Sequence, residues 1–264
     1  MTKINYLFRC KTKGGYFFKI LVEIISNNIK TGSFTISKNG ITLCMHDSPQ
    51  KTLVDLNLDS SNFEKFVYNS TQSHKQVGLN LNHFFKILKS IKKKEALELF
   101  ITREKDEELN VRTTSKESNH KITTTIKIQD IQNISIDIPK YNVNSVIISS
   151  SEFQKICKEL NIIGSDTIQI IKNKGKIQFI ADADDILKRN VEFGDSDSES
   201  ESETEIYNSK IDVDQLNRIE KLSGLSNNIH ILILDNFSPI LFKTNVGNLG
   251  TIKIFIKSKE LIEE

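Results

Sequence analysis

Cysteine is scarce in this 264-residue sequence: Cys10, Cys44 and Cys157 lie far apart and in no CxxC spacing. Such spacing excludes a disulfide framework or a cysteine-ligated zinc site and fits a reducing compartment. No apolar run approaches the roughly 18 residues that a membrane span needs. The opening stretch, MTKINYLFRCKTK, lacks the apolar core of a signal peptide. A soluble intracellular protein is therefore expected. A large charge of one sign is missing too: 36 Lys and Arg against 34 Asp and Glu leave a net +2. Any affinity for nucleic acid must then come from where the charge is placed, not from its total.

Catalytic signatures are absent as well. There is no P-loop, GxGxxG, HExxH or GxSxG. His46, His74, His83, His120 and His230 are dispersed without metal-ligand spacing. Asp182, Asp184 and Asp185 form the one acidic cluster suited to Mg²⁺, and no nucleotide-cradling motif accompanies it. The sequence reads as a binding protein, not an enzyme, with no cofactor and no metal.

What is present is a repeat. Residues 78–94, GLNLNHFFKILKSIKKK, read as a strand running into a helix that is apolar on one side and basic on the other. The pattern returns at 211–222. At a spacing of 132 residues Leu79 meets Ile211, Leu81 meets Val213, Phe84 meets Leu216, Lys86 meets Arg218, Ile87 meets Ile219 and Lys89 meets Lys221. An earlier helix, over 16–28, places Phe18, Leu21, Val22 and Ile25 at i, i+3, i+4, i+7, with Lys19, Glu23, Ser26 and Asn27 opposite. At a spacing of 136, Phe17, Lys19, Ile20, Glu23 and Ile24 meet Phe153, Lys155, Ile156, Glu159 and Leu160 of a helix over 150–161. Two helices per half, in the same order, indicate one fold used twice.

Short strands fill the intervals. They are predicted at 4–10, 33–37, 41–45, 52–58, 63–68 and 77–81, and again at 96–102, 109–115 and 120–128. In the second half they fall at 145–149, 167–172, 176–181 and 186–193, with the last helix and strands in 211–257. Asn39–Gly40 signals a hairpin, since both residues tolerate positive φ. Segment 130–142 alternates Ile131, Ile134, Ile136 and Ile138 with polar residues up to Pro139, as a crossing segment tethered to a sheet would. Residues 194–205, GDSDSESESETE, have no apolar group and read as a solvated loop. The basic faces of the four helices (Lys19; Lys86, Lys89 and Lys93; Lys155 and Lys158; Arg218 and Lys221) suit phosphate contacts without base readout. Glu23, Glu159, Asp214 and Glu220 dilute that charge.

These residues resemble the eukaryotic-type DNA sliding clamps, the proliferating cell nuclear antigen family, over essentially the whole chain. The matching segments are NGITLCMHDSPQKTLVDLNL (39–58), VGLNLNHFFKILK (77–89), SEFQKICKELNIIGSDTIQI (151–170) and SPILFKTNVGNLGTIKIFI (238–256). The resemblance implies an α+β DNA-clamp fold: two similar domains, each with two helices packed on antiparallel sheets. These would span 1–129 and 143–264, joined by a connector over 130–142, with 194–205 as the acidic loop. Three copies would close head to tail into a ring around duplex DNA.

Lys19, Lys86, Lys89, Lys155, Lys158 and Lys221 match the family's basic inner positions, and Arg218 joins them from the internal repeat alone. Ile20 and Ser26 stand where basic residues are common in the family. Partner peptides bearing a Gln, an aliphatic residue and two aromatics would bind beside the connector, at Met45, His46, Ile136, Ile138, Pro139, Pro239 and Phe255. His46 and Lys51 replace apolar groups of that pocket, and Lys257 departs near the C-terminal tail. Subunits would pair strand to strand through 119–127 (Ile122, Ile126) and 186–193 (Leu187, Val191, Phe193).

The implied partners are duplex DNA, a DNA polymerase, a clamp loader and other replication or repair proteins, in the nucleus or a viral replication compartment, with no membrane. A checkpoint-type heterotrimer subunit, a monomeric viral-type processivity factor and a Mg²⁺-dependent nucleic-acid enzyme using Asp182, Asp184 and Asp185 are the alternatives.

Overall fold

The computed structural model describes residues 4–115, 120–132, 136–173, 175–183, 186–194 and 207–263. Two compact units emerge. One comprises Met1–Met45, Val54–Ile136 and Asn245–Ile252; the other comprises His46–Leu53, Asp137–Thr244 and Lys253–Glu264. Segments 46–53 and 245–252 thus belong to the unit opposite the one their sequence position suggests.

The first half of the chain runs through β1 (Tyr6–Thr12), α1 (Gly15–Asn28), β2 (Thr31–Ser37), β3 (Gly40–His46), β4 (Thr52–Asp59) and β5 (Lys65–Tyr68). It continues with β6 (His74–Asn80), α2 (Leu81–Leu88), β7 (Ala96–Thr102), β8 (Glu108–Thr114) and β9 (Lys121–Lys127). In the first unit an antiparallel sheet has the order β5-β1-β7-β8-β9, and β4, β3, β2 and β6 neighbour one another in that order. The second half begins with β10 (Val146–Ser149), α3 (Ser150–Ile162), β11 (Thr167–Asn173), β12 (Lys176–Ala183), β13 (Leu187–Phe193) and β14 (Tyr207–Asp212). It ends with α4 (Val213–Ile219), β15 (Asn228–Leu232), β16 (Ile240–Asn245), β17 (Gly250–Ile256) and α5 (Glu260–Glu263). The second unit repeats the two-sheet plan, with orders β13-β12-β11-β14 and β10-β15-β16-β17.

Each helix buries its apolar stripe on its own sheets. Phe84 of α2 meets Phe18 of α1 and Phe34 of β2 edge-on, with ring centroids 6.2 and 6.3 Å apart. In the second unit Phe153 of α3 meets Phe242 of β16 at 5.9 Å. Such fully buried aromatics dominate a core's apolar burial. Side-chain caps set the starts of α2, α3 and α4, whereas α1 begins after Gly14 with no side-chain cap. Asn80 accepts from the His83 N–H at 2.9 Å. Asp212 forms a capping box with Gln215, and Ser149 forms one with Glu152. Such a cap stabilises a helix by about 1 kcal/mol.

Four sequence expectations change. Helix α2 does not reach residue 94. It stops at Leu88 because the chain turns inward to bury Ile91, whose N–H bonds to the Leu88 carbonyl at 3.0 Å. Lys93 consequently lies off the helix.

The spacing of 132 holds for α2 and α4, which begin at Leu81 and Val213. The other pair begins at Gly15 and Ser150, a spacing of 135 rather than 136. In that register Phe18, Leu21, Val22 and Ile25 coincide with Phe153, Ile156, Cys157 and Leu160, all buried. Phe17 is only half-buried, its ring lying against Gly247.

The β2–β3 hairpin is real, but Ser37 pairs with Gly40, so the two loop residues are Lys38 and Asn39. Gly40 alone takes a positive φ there, +145°. A Cβ on it would lie 1.9 Å from the Leu58 carbonyl oxygen, which only glycine avoids. Finally, the strand expected at 63–68 begins at Lys65, after a 3₁₀ turn over Ser60–Asn62.

Candidate nucleic-acid interface and partner surfaces

The basic residues named from the sequence fall into two groups. Lys86, Lys89, Lys158 and Lys221 are exposed and have no ion-pair partner among the described residues. Lys86 sits in the last turn of α2 and Lys89 at its C-cap, where a helix end favours positive charge. Lys221 stands in the 3₁₀ turn Glu220–Gly224 that follows α4.

The others are engaged. Lys19 donates to the Ile91 carbonyl at 3.1 Å and lies 5.1 Å from the Tyr16 ring. Lys93 reaches the same ring from the loop after α2, at 5.7 Å. Tyr16 therefore gathers two ammonium groups by cation–π attraction. Lys155 lies 3.8 Å from Glu159, an acid already paired with Arg189 at 3.0 Å. An exposed pair of this kind is worth about 0.2–1 kcal/mol and yields readily to a phosphate. Arg218 lies 3.9 Å from Asp47, whose side chain is 1 % exposed.

The residues expected in a peptide groove are distributed between the units. Met45 and Ile136 belong to the first unit, and Met45 sulfur accepts from the Ser33 N–H at 3.2 Å. His46, Ile138, Pro139, Pro239 and Phe255 belong to the second. There Phe255 is 2 % exposed because Tyr141 packs on it, ring centroids 5.9 Å apart, and Tyr141 donates its hydroxyl to the Pro239 carbonyl. Tyr141 is thus the aromatic surface at this place, with Ile138 and Pro139 exposed three and two residues before it.

Phe237, two residues from Pro239, is 77 % exposed. Sequence reasoning passed over both Tyr141 and Phe237; an aromatic just after Pro139 in an Ile- and Asp-rich segment was the available signal. Ile134 and its neighbours at 133–135 lie outside the described residues. His46 is held below the ordinary histidine range by burial and then by the Lys257 charge, with Asp47 and the Thr52 backbone acting the other way.

Both expected pairing strands are sheet edges. β9 ends the first unit's five-stranded sheet and β13 ends the second unit's four-stranded sheet. Ile122 is 54 % exposed and Leu187 50 %, while Ile126, Val191 and Phe193 are half-buried. Bare edges with apolar side chains are templates for strand addition.

No group of His, Cys, Asp or Glu among the described residues is placed to hold a metal ion. Asp182 lies 3.7 Å from Lys188; Asp184, Asp185 and most of the acidic segment fall outside the described residues. No described helix is long and apolar enough to cross a membrane.

Comparison with known proteins bears on both halves. The family model for the N-terminal domain of proliferating cell nuclear antigen matches residues 7–138, and that for its C-terminal domain matches 137–259. The chain belongs to the proliferating cell nuclear antigen family. The two matches meet at residues 137–138, within the segment 130–142 expected from the sequence to join the domains.

Similar relatives include a probable DNA polymerase sliding clamp of Paramecium bursaria Chlorella virus 1, 26% identical over 261 residues, covering 96% of this chain and 97% of the relative. The proliferating cell nuclear antigen of Dictyostelium discoideum is 27% identical over 274 residues, covering 96% and 99%. The crystal structure of the Entamoeba histolytica antigen shares the fold, with a TM-score of 0.82 at 22% identity over 96% of this chain and 99% of that one.

Proposed function

We infer that the chain is a DNA polymerase sliding clamp, a processivity factor of the proliferating cell nuclear antigen family. It holds a polymerase to duplex DNA without reading sequence and without catalysis of its own. The observation that carries this is the doubled fold: both halves match clamp domains, and each carries a helix pair with exposed lysines.

In this reading three copies join β9 of one to β13 of the next and close into a ring. Lys86, Lys89, Lys158 and Lys221 make the freest phosphate contacts, with Lys155 beside them. Lys19 and Lys93 are held on Tyr16, and Arg218 serves mainly Asp47. Contacts of this kind weaken steeply with salt and let the protein slide. A clamp loader opens the ring, and partner peptides dock on the surface built by Ile138, Pro139, Tyr141, Pro239 and Phe255. The setting is a nucleus or a viral replication site.

Retention on DNA tests the ring. With a clamp loader and ATP, the protein should stay on a closed circle and run off the same DNA once it is cut. Equal retention on both would rule out topological tethering.

A further inference from the structure

One end of the peptide surface is cationic rather than apolar. Along β17, Ile254 and Ile256 are fully buried on one side, while Lys253 and Phe255 share the other. Lys257 follows directly after the last residue of β17, two positions beyond the Phe255 that Tyr141 covers. Its backbone N–H donates to the Lys51 carbonyl at 2.9 Å, which sets the two lysines side by side. His46 stands near enough to feel the Lys257 charge.

The local charges do not cancel. Lys51 and Lys259 share one carboxylate, Asp212, at 3.2 and 3.3 Å. Lys257 has no acidic partner among the described residues. Asp47 does not neutralise it from solvent: its side chain is 1 % exposed, and Oδ1 is taken by the Thr52 N–H at 2.8 Å. The open cleft on the other flank of Lys51, about 570 Å3, sets Asp166, Asp212 and Asp214 against Lys51 and Arg218. An anion is repelled there and drawn to the Lys257 side.

Resting on the peptide-binding reading, we propose that Lys257, seconded by Lys51, forms a subsite for an Asp or Glu side chain of the partner peptide. A single charge at the rim of an apolar surface selects among partners more than it adds affinity. A peptide is favoured over a phosphate backbone because the charge is continuous with the Tyr141–Phe255 surface and lies two residues past Phe255, just beyond the end of β17.

Fluorescence anisotropy on the full chain decides the matter. The probes are two labelled peptides with the same Gln, Leu and two Phe, one flanked on each side by Glu-Glu and the other by Gln-Gln. The acidic peptide should bind about three- to fivefold tighter in low salt, the range of one exposed ion pair, and the advantage should shrink as salt rises. Lys257→Glu should reverse the preference while Gln-Gln binding stays within about twofold.

Equal binding of both peptides to the unaltered chain overturns the subsite and leaves the peptide surface standing. Binding of neither peptide overturns both. Loss of circular-DNA retention in Lys257→Glu as large as that in Lys86→Glu assigns the charge to DNA and overturns the subsite.

Discussion

Arg218 reaches to 3.9 Å from the carboxylate of Asp47, a side chain 1 % exposed whose Oδ2 has no hydrogen-bond partner. The guanidinium is the counter-charge of a buried acid that organises the turn 46–51, where Asp47 also bonds Thr52 and Gln50 takes φ +55°. Arg218→Ala is therefore expected to lower stability by about 1 kcal/mol, read by urea unfolding. Its DNA retention should fall less than that of Lys86→Glu. Equal losses would return Arg218 to the phosphate contacts.

Glu98 of β7 lies between Arg9 of β1 and Arg112 of β8, at 2.5 and 3.0 Å, and is 7% exposed. Removing one member of a nearly buried charge group leaves the others uncompensated and costs about 3 kcal/mol. Glu98→Ala should shift the urea midpoint accordingly. A change within experimental scatter would show that both arginines find water instead.

Gly40 offers a backbone test. Gly40→Ala places a methyl 1.9 Å from the Leu58 carbonyl oxygen at a φ of +145°. Strain of this kind costs about 1–3 kcal/mol. A thermal melt of the variant should fall, whereas Lys38→Ala in the same hairpin should leave it unchanged.

His46 gives a pH dependence with a definite sign. Burial and Lys257 lower its pKa below the ordinary 6.5, so the folded state takes up the proton less readily than the unfolded chain. Its contribution is fully present above 6.5 and is lost as pH falls through that value toward the lower folded pKa. Thermal melts at about pH 7.5 and about pH 5.5 should therefore differ less for His46→Leu than for the unaltered chain. An unchanged difference would assign the pH effect to other groups.

In the proposed ring the edge strands β9 and β13 form the seams. Ile122→Lys on β9, or Val191→Lys on β13, puts a charge into the proposed seam, a device that blocks edge pairing. Light scattering should show the unaltered chain as three copies and each variant as one.

How far the sequence revealed these features depended on the range of the interaction. Local periodicity was enough for α2 and α4, because Leu81, Phe84, Val213 and Leu216 are spaced by the helix itself. It misplaced the other pair by one residue, because Phe17 and Phe18 are adjacent and equally apolar. The apolar stripe of the helix does select Phe18, 3% exposed, and the alignment at 136 matched instead Phe17, which lies half-buried against Gly247. Tertiary burial of Ile91 ended α2 before its basic run. The Lys51–Asp212–Lys259 cluster, the Arg218–Asp47 pair and the Tyr141–Phe255 contact join residues that no sequence period connects. The family resemblance supplied the clamp and marked Lys51 and Lys257 as departures, whereas the pairing of Lys51 with Asp212 came from the side-chain geometry.

The exposed edges β9 and β13 lie in different units, so the two faces of a seam are not the same surface. In a ring of three, a copy spoiled only at β9 still presents a sound β13 and enters the assembly, breaking one seam. Random mixing of equal amounts of spoiled and sound copies then leaves roughly one ring in eight intact. A single defective gene copy would act as a dominant poison of replication, where a defect on the peptide surface would be diluted.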